Sequence, residues 1–135
     1  MKNANHGFRF RDWNVYKDGR VFRKSIHILV RKFPKEELFS LIDQISRALN
    51  SILLNIAEGS NKNTDKDMAL YVNRAHCSLD EVVSCLDCAL DDGYITPTEH
   101  EAALAQAEHL AKQLKAFTVF LSKGKSLTKP FTVNR

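Results

Sequence analysis

Apolar residues recur in alternating steps of four and three along four separate stretches of this chain, a rhythm that only packed helices can use. Val15, Gly19, Phe22, Ile26, Leu29 and Phe33 share one helical face, and Leu38, Leu41, Ile45, Leu49, Ile52 and Ile56 share a second. Met68, Val72, Ala75, Leu79, Val82 and Leu86 keep a strict heptad, and Leu104, Ala107, Leu110, Leu114, Phe117 and Leu121 form the fourth stripe. Alternation with period two never lasts long enough to argue a strand. Heptad-like stripes joined by short connections make successive helices antiparallel neighbours. The fold expected is all-α, an antiparallel up-down-up-down four-helix bundle.

The punctuation between stripes agrees. Pro34 breaks the first helix, and Glu36 and Glu37 suit the first turn of the second, where the helix dipole favours acids. Gly59 is placed to turn the chain left-handed after that helix. Thr64 can cap the third helix with Asp67 three residues on, and Gly93 ends it. Thr96-Pro97-Thr98-Glu99 supplies a cap, a first-turn proline and a box acid. Gly124 closes the fourth helix. The organisation read from this is a basic N-terminal arm (1–11), the bundle (12–124) and a basic C-terminal tail (125–135).

A chain of 135 residues buries roughly two-thirds of its unfolded surface, so the core needs no disulfide or metal. No apolar run reaches the roughly 18 residues of a membrane span, and the N-terminus lacks the apolar stretch of a secretory signal. The three cysteines are an odd number confined to Cys77–Cys88, which fits reduced thiols in the cytoplasm.

Charge is divided unevenly. Residues 1–35 hold ten Lys and Arg against Asp12 and Asp18, while residues 64–108 hold ten acids against Lys66 and Arg74. From Lys112 onward there are bases and no acid. Such a split provides a directed field for a polyanion or for head-to-tail self-association.

Motifs that would carry chemistry are weak. Cys85-x-x-Cys88 lies deep in the third helix among acids that oppose thiolate formation, away from a helix N-terminus that would favour it. The five histidines show no ligand spacing, and no pairing suggests a nucleophile with its base. The expectation is a protein that binds and does not catalyse, with no cofactor or metal.

Two polar stripes stand out. Arg47, Ser51, Asn55 and Glu58 share a face of the second helix, and Arg74, Ser78 and Glu81 share one of the third. Small serines beside an apolar seam let helices approach closely, and an Arg–Glu pair could tie them. Apolar residues off the stripes (Val21, Ile28, Phe39, Leu53, Leu54, Val119 and Phe120) either widen the core or form a subunit interface.

The functional candidates are basic. Arg20, Arg23, Lys24, Arg31 and Lys32 lie off the apolar seam of the first helix, much of their charge to one side. Lys123, Lys125 and Lys129 extend from the fourth, whose end should meet the start of the first near Arg9, Arg11 and Lys17. Neutralising phosphates with Lys and Arg is the generic driving force for nucleic-acid binding.

Phe33-Pro34-Lys35-Glu36-Glu37, Gln44-Ile45-Ser46-Arg47-Ala48 and Ser51-Ile52-Leu53-Leu54-Asn55-Ile56-Ala57-Glu58-Gly59 carry a family likeness, together with Ala75, Ser78-Leu79-Asp80-Glu81 and Gly93-Tyr94-Ile95. Over most of residues 13–122 the chain resembles the four-helix-bundle family encoded in ribosomal-RNA intervening sequences, and the same bundle is similar to the accessory variability protein of diversity-generating retroelements. The resemblance implies a bacterial, cytoplasmic bundle assembled into a five-fold ring. It implies architectural roles for Arg47, Ser51, Asn55, Glu58, Gly59, Ser78 and Glu81. Its retroelement branch implies nucleic acid and a reverse transcriptase as partners. Two functions are therefore expected in turn: a homo-oligomeric nucleic-acid-binding bundle with little sequence preference, or a scaffold that docks a protein such as a reverse transcriptase.

Overall fold

The computed structural model describes residues 4–123. Four helices carry the chain: α1 (Asn14–Val30), α2 (Leu41–Gly59), α3 (Asp65–Asp91) and α4 (Pro97–Ser122). Among the described residues there is no strand. α3 and α4 have 27 and 26 residues against 17 and 19 for α1 and α2. At about 1.5 Å per residue, α1 falls roughly 15 Å short of α3. Two short 3₁₀ turns, Arg9–Asp12 and Lys35–Glu37, flank it at either end.

The four stripes meet in one core. Val15, Ile26, Ile45, Leu49, Ile56, Met68, Leu79, Leu86, Leu110, Leu114 and Phe117 are essentially sealed from solvent. Burial of each such side chain contributes about 1.5–3 kcal/mol. α2 packs most extensively on α3 and α3 on α4, while α1 lies against both α2 and α4 through smaller contacts. Small residues bring the backbones together. Gly19 and Gly59 are both buried within helices.

Helix ends follow their local chemistry. Thr64 Oγ1 accepts from the Asp67 N–H at 3.1 Å, and at Thr96 both halves of the capping box close around Glu99. α3 stops at Gly93, whose φ of +77° suits a residue without a β-carbon. There the Tyr94 N–H reaches the Ala89 carbonyl at 2.8 Å and the Gly93 N–H reaches that of Leu90, the paired bonds of a Schellman stop.

Three local expectations are corrected. Glu36 and Glu37 belong to a separate 3₁₀ turn, and α2 starts only at Leu41, so Leu38 is half exposed instead of lying on the seam. Gly59 is the last residue of α2 in ordinary helical conformation, and its smallness serves close packing on α3 instead of a left-handed turn. Arg47 bonds Asp43 on its own helix at 3.1 Å, so it does not tie α2 to α3. The predicted end of α4 at Gly124 lies outside the described residues.

Candidate nucleic-acid interface

The basic residues predicted on α1 separate into three directions. Arg20 and Lys24 are exposed on the side of α1 away from the core, and exposed Lys17 joins them. Arg31, which the sequence placed on the helix, caps its end just past Val30 and continues the line. Positions 17, 20, 24 and 31 stand one, two and four helical turns along, so they form a single stripe about 21 Å long. None of the four has an ion-pair partner among the described residues.

Arg23 and Lys32 leave this stripe. The Arg23 Nε donates to the Asn50 side chain at 2.7 Å, which turns it toward α2. Lys32 bonds Glu99 at the start of α4, on the opposite flank, and that bond holds the Glu99 carboxyl below the usual range. Between them His27 is kept neutral by its own burial and by Arg23 and Arg31, which lower its pKa. Its Nε2 is buried with no hydrogen-bond partner. The stripe thus carries fixed arginine and lysine charge that an imidazolium does not supplement near neutral pH.

Lys123 is exposed just past the end of α4, and Lys125 and Lys129 lie outside the described residues. Within the described residues the last turns of α4 lie against the start of α1. Trp13 packs edge-on against Phe117 at 5.1 Å, and the Gln113 amide donates to Asp18 at 2.9 Å. Arg9 lies here too, its guanidinium bonding the Ser60 carbonyl at 2.6 Å and standing 5.6 Å over the Trp13 ring.

The polar stripes of α2 and α3 meet at their serines. Ser78 Oγ lies 2.8 Å from Ser51 Oγ, and the Asn55 amide donates to both the Ser51 carbonyl and its hydroxyl. Glu58 and Glu81 are exposed, and Glu81 adds to the burial that pushes the Cys85 thiol up to about 11. A thiol so placed is a poor nucleophile at neutral pH. Cys77 and Cys88 are free and exposed. Among the described residues no three His, Cys, Asp or Glu side chains cluster as a metal set, and no helix is long and apolar enough to cross a membrane.

Residues 11–116 match the model of the 23S rRNA-intervening sequence protein family. The chain belongs to that family. No curated protein matched it in a further comparison. As a 23S rRNA-intervening sequence protein, it carries the outward α1 stripe and the Ser51–Ser78 seam inside the family's own span, whereas Lys123 falls beyond it.

Sequence reasoning missed one cluster altogether. Phe8, Arg9, Phe10, Ser60, Asn61 and Lys62 line a cleft of about 650 Å³ where the N-terminal turn meets the α2–α3 connection. A signal for it existed in the alternation Phe8-Arg9-Phe10-Arg11, which interleaves rings with guanidiniums.

Proposed function

We propose that this chain is a non-enzymatic, homo-oligomeric nucleic-acid-binding protein, with RNA the favoured ligand, whose α1 stripe contacts phosphates. The observation that carries the reading is the run Lys17, Arg20, Lys24 and Arg31, four exposed cations in line with no ion-pair partner among the described residues. Its family's description, which names ribosomal RNA, favours RNA over DNA. Lys123, with Lys125 and Lys129 beyond it, extends the basic surface. Contacts of this kind fix a backbone without reading bases, so binding has little sequence preference.

The bundle in this reading is antiparallel, up-down-up-down. Lys32 with Glu99, Ser25 with Gln106 and Asp18 with Gln113 support it, since partner numbers fall on α4 as they rise on α1. Val21, Ile28, Phe39, Leu54 and Val119 remain exposed, which supports assembly of several copies, a five-membered ring on the family resemblance. The free exposed thiols suit a reducing bacterial cytoplasm.

The test is binding of the purified protein to labelled RNA and DNA across a salt series, beside Arg20→Glu/Lys24→Glu. Tight binding that weakens steeply with salt and is lost in the variant supports the reading. Absence of binding at low salt overturns it.

One observation favours the scaffold reading as the alternative. A groove of about 400 Å³ between α3 and α4 is lined by Leu79, Val83, Leu104 and Ala111 and bordered by Asp80, Glu101 and Glu108. An acidic rim around an apolar floor suits a basic amphipathic segment of a protein partner such as a reverse transcriptase. Recovery of one protein after nuclease treatment, with loss on Val83→Asp, would favour it.

A further inference from the structure

The cleft at the N-terminal turn is a built platform. Asn5 is almost fully buried, its side-chain oxygen accepting from the Gly7 N–H at 2.8 Å and its amide donating to Asp12 at 2.7 Å. Those bonds span a backbone held in the left-handed region at His6 and Gly7, with φ of 55° and 89°. A non-glycine residue adopts that region only where its surroundings hold it there. The result presents Phe8, 58% exposed, above an edge-to-face series in which Phe8 meets Phe10 at 6.2 Å and Phe10 meets Tyr16 at 4.8 Å.

Both cations of the cleft lining, Arg9 and Lys62, are seated over aromatic rings. Arg9 stands over Trp13, and both Lys62 and Arg74 stand over Tyr71, at 4.5 and 4.6 Å from its centroid. Glu58 is the acid on the cleft wall, and Asn61 and Ser60 add neutral polar groups. The volume falls in the range of roughly 300–1,000 Å³ typical of small-ligand sites. An exposed ring beside Lys and Arg is the arrangement that takes a nucleobase by stacking and its phosphate by charge.

We infer that this cleft binds an unpaired, amine-bearing base of single-stranded RNA, stacked on Phe8, with its phosphate toward Arg9 and Lys62 and its amine toward Glu58. This deepens the proposed function and rests on it, naming single strands as a class that the α1 stripe does not distinguish. Glu58 keeps phosphate from its side of the wall and accepts from an exocyclic N–H₂, which adenine and cytosine carry and uracil lacks. A paired base offers no free face, so a duplex reaches the α1 stripe without entering the cleft.

The experiment uses the full chain with labelled oligo(A), oligo(C) and oligo(U) of about 15 nucleotides, within the site sizes of single-strand binders, and an RNA duplex of matched length. The protein is expected to hold oligo(A) and oligo(C) about tenfold tighter than duplex, as loss of one stacked base implies, and tighter than oligo(U) because uracil offers Glu58 no amine. Phe8→Ala and Lys62→Ala should each remove most of that advantage, and Glu58→Gln should bring oligo(U) level with oligo(A). Trp13 is the sole tryptophan and lies under Arg9, so its emission should respond to oligo(A) and not to duplex. Arg20→Glu/Lys24→Glu should weaken all four ligands by one common factor. Wild-type discrimination in Phe8→Ala and Lys62→Ala, or a silent Trp13, overturns the cleft while leaving the α1 reading intact. Normal binding in the α1 variant with loss in Phe8→Ala does the reverse. Absence of RNA binding by the wild type overturns both.

Discussion

Gly59 on α2 and Tyr71 on α3 touch so closely that a β-carbon at Gly59 would sit 2.9 Å from the β-carbon of Tyr71. That atom is fixed to its backbone and cannot swing aside. Gly19 is superficially similar, with a contact of 2.8 Å, but the neighbour there is Leu53 Cδ2 at the far end of a flexible side chain. The two glycines therefore predict different results. Gly59→Ala overpacks the seam, a cost of about 1–3 kcal/mol that exceeds or cancels the helix-propensity gain of about 1 kcal/mol. In Gly19→Ala a rotamer change at Leu53 relieves the contact, and stability changes by less than about 1 kcal/mol in either direction. Urea unfolding of both variants checks this, and equal losses would refute the distinction.

The Ser51–Ser78 bond belongs to a small network, since Ser78 also lies 3.1 Å from the Arg74 carbonyl and Asn55 donates to Ser51. Ser51→Ala leaves the Asn55 amide with the Ser51 backbone carbonyl as its acceptor and is expected to cost about 1 kcal/mol. A double cycle with Ser78→Ala should show coupling above about 0.5 kcal/mol, because neighbours in one network are not additive. Independent, additive losses in denaturant melts would show that the two hydroxyls do not sense each other.

Acid sensitivity should concentrate at the end of the fold where α4 begins. Tyr94 donates to Glu37 at 2.6 Å, which holds that carboxyl below its usual range, and Lys32 does the same for Glu99. A carboxylate with a depressed native pKa contributes stability above its ordinary value of about 4.5 and loses it as pH falls through the lower native value. Melting temperature should thus fall below about pH 4.5, and less steeply in Glu37→Gln and Glu99→Gln. Tyr94 is pushed up to about 12 by the same bond. Its ordinary ionisation lies near 10, so the unfolded chain loses the proton first and stability declines as pH rises from about 10 to 12. Tyr94→Phe should remove that alkaline decline in a thermal series, and an unchanged slope would refute the assignment.

The core could be read in the sequence because burial repeats with the helix, and every residue of the α3 stripe from Met68 to Leu86 is sealed from solvent. Caps were legible for the same local reason, as at Thr96 and Gly93. What escaped depends on other elements. Gly59 followed by a polar loop reads as a helix stop, and only the proximity of Tyr71 shows why glycine is there. Arg23 and Lys32 count as free charge until Asn50 and Glu99 are brought to them from α2 and α4. Leu38 kept the periodicity, but the backbone breaks at Ser40, between it and the start of α2. The cleft joins Phe8 to Lys62 across more than fifty residues, a separation that no local pattern reports.

Sorting the α1 cations by partner gives a final prediction for RNA binding. A cation that releases counterions from a phosphate contributes roughly 0.7–0.9 to the slope of log affinity against log salt. Lys24→Ala and Arg20→Ala should each lower the slope by about that amount. Lys32→Ala should lower it much less, because Glu99 already neutralises that amine, and Arg23→Ala is similarly muted while Asn50 holds the guanidinium toward α2. Charge counted from the sequence alone makes all four equivalent, so titrations at several salt concentrations discriminate between composition and geometry. Equal slope changes in the four variants would mean that ligand pulls Lys32 and Arg23 away from their partners, and the whole first helix would then act as one undivided basic face.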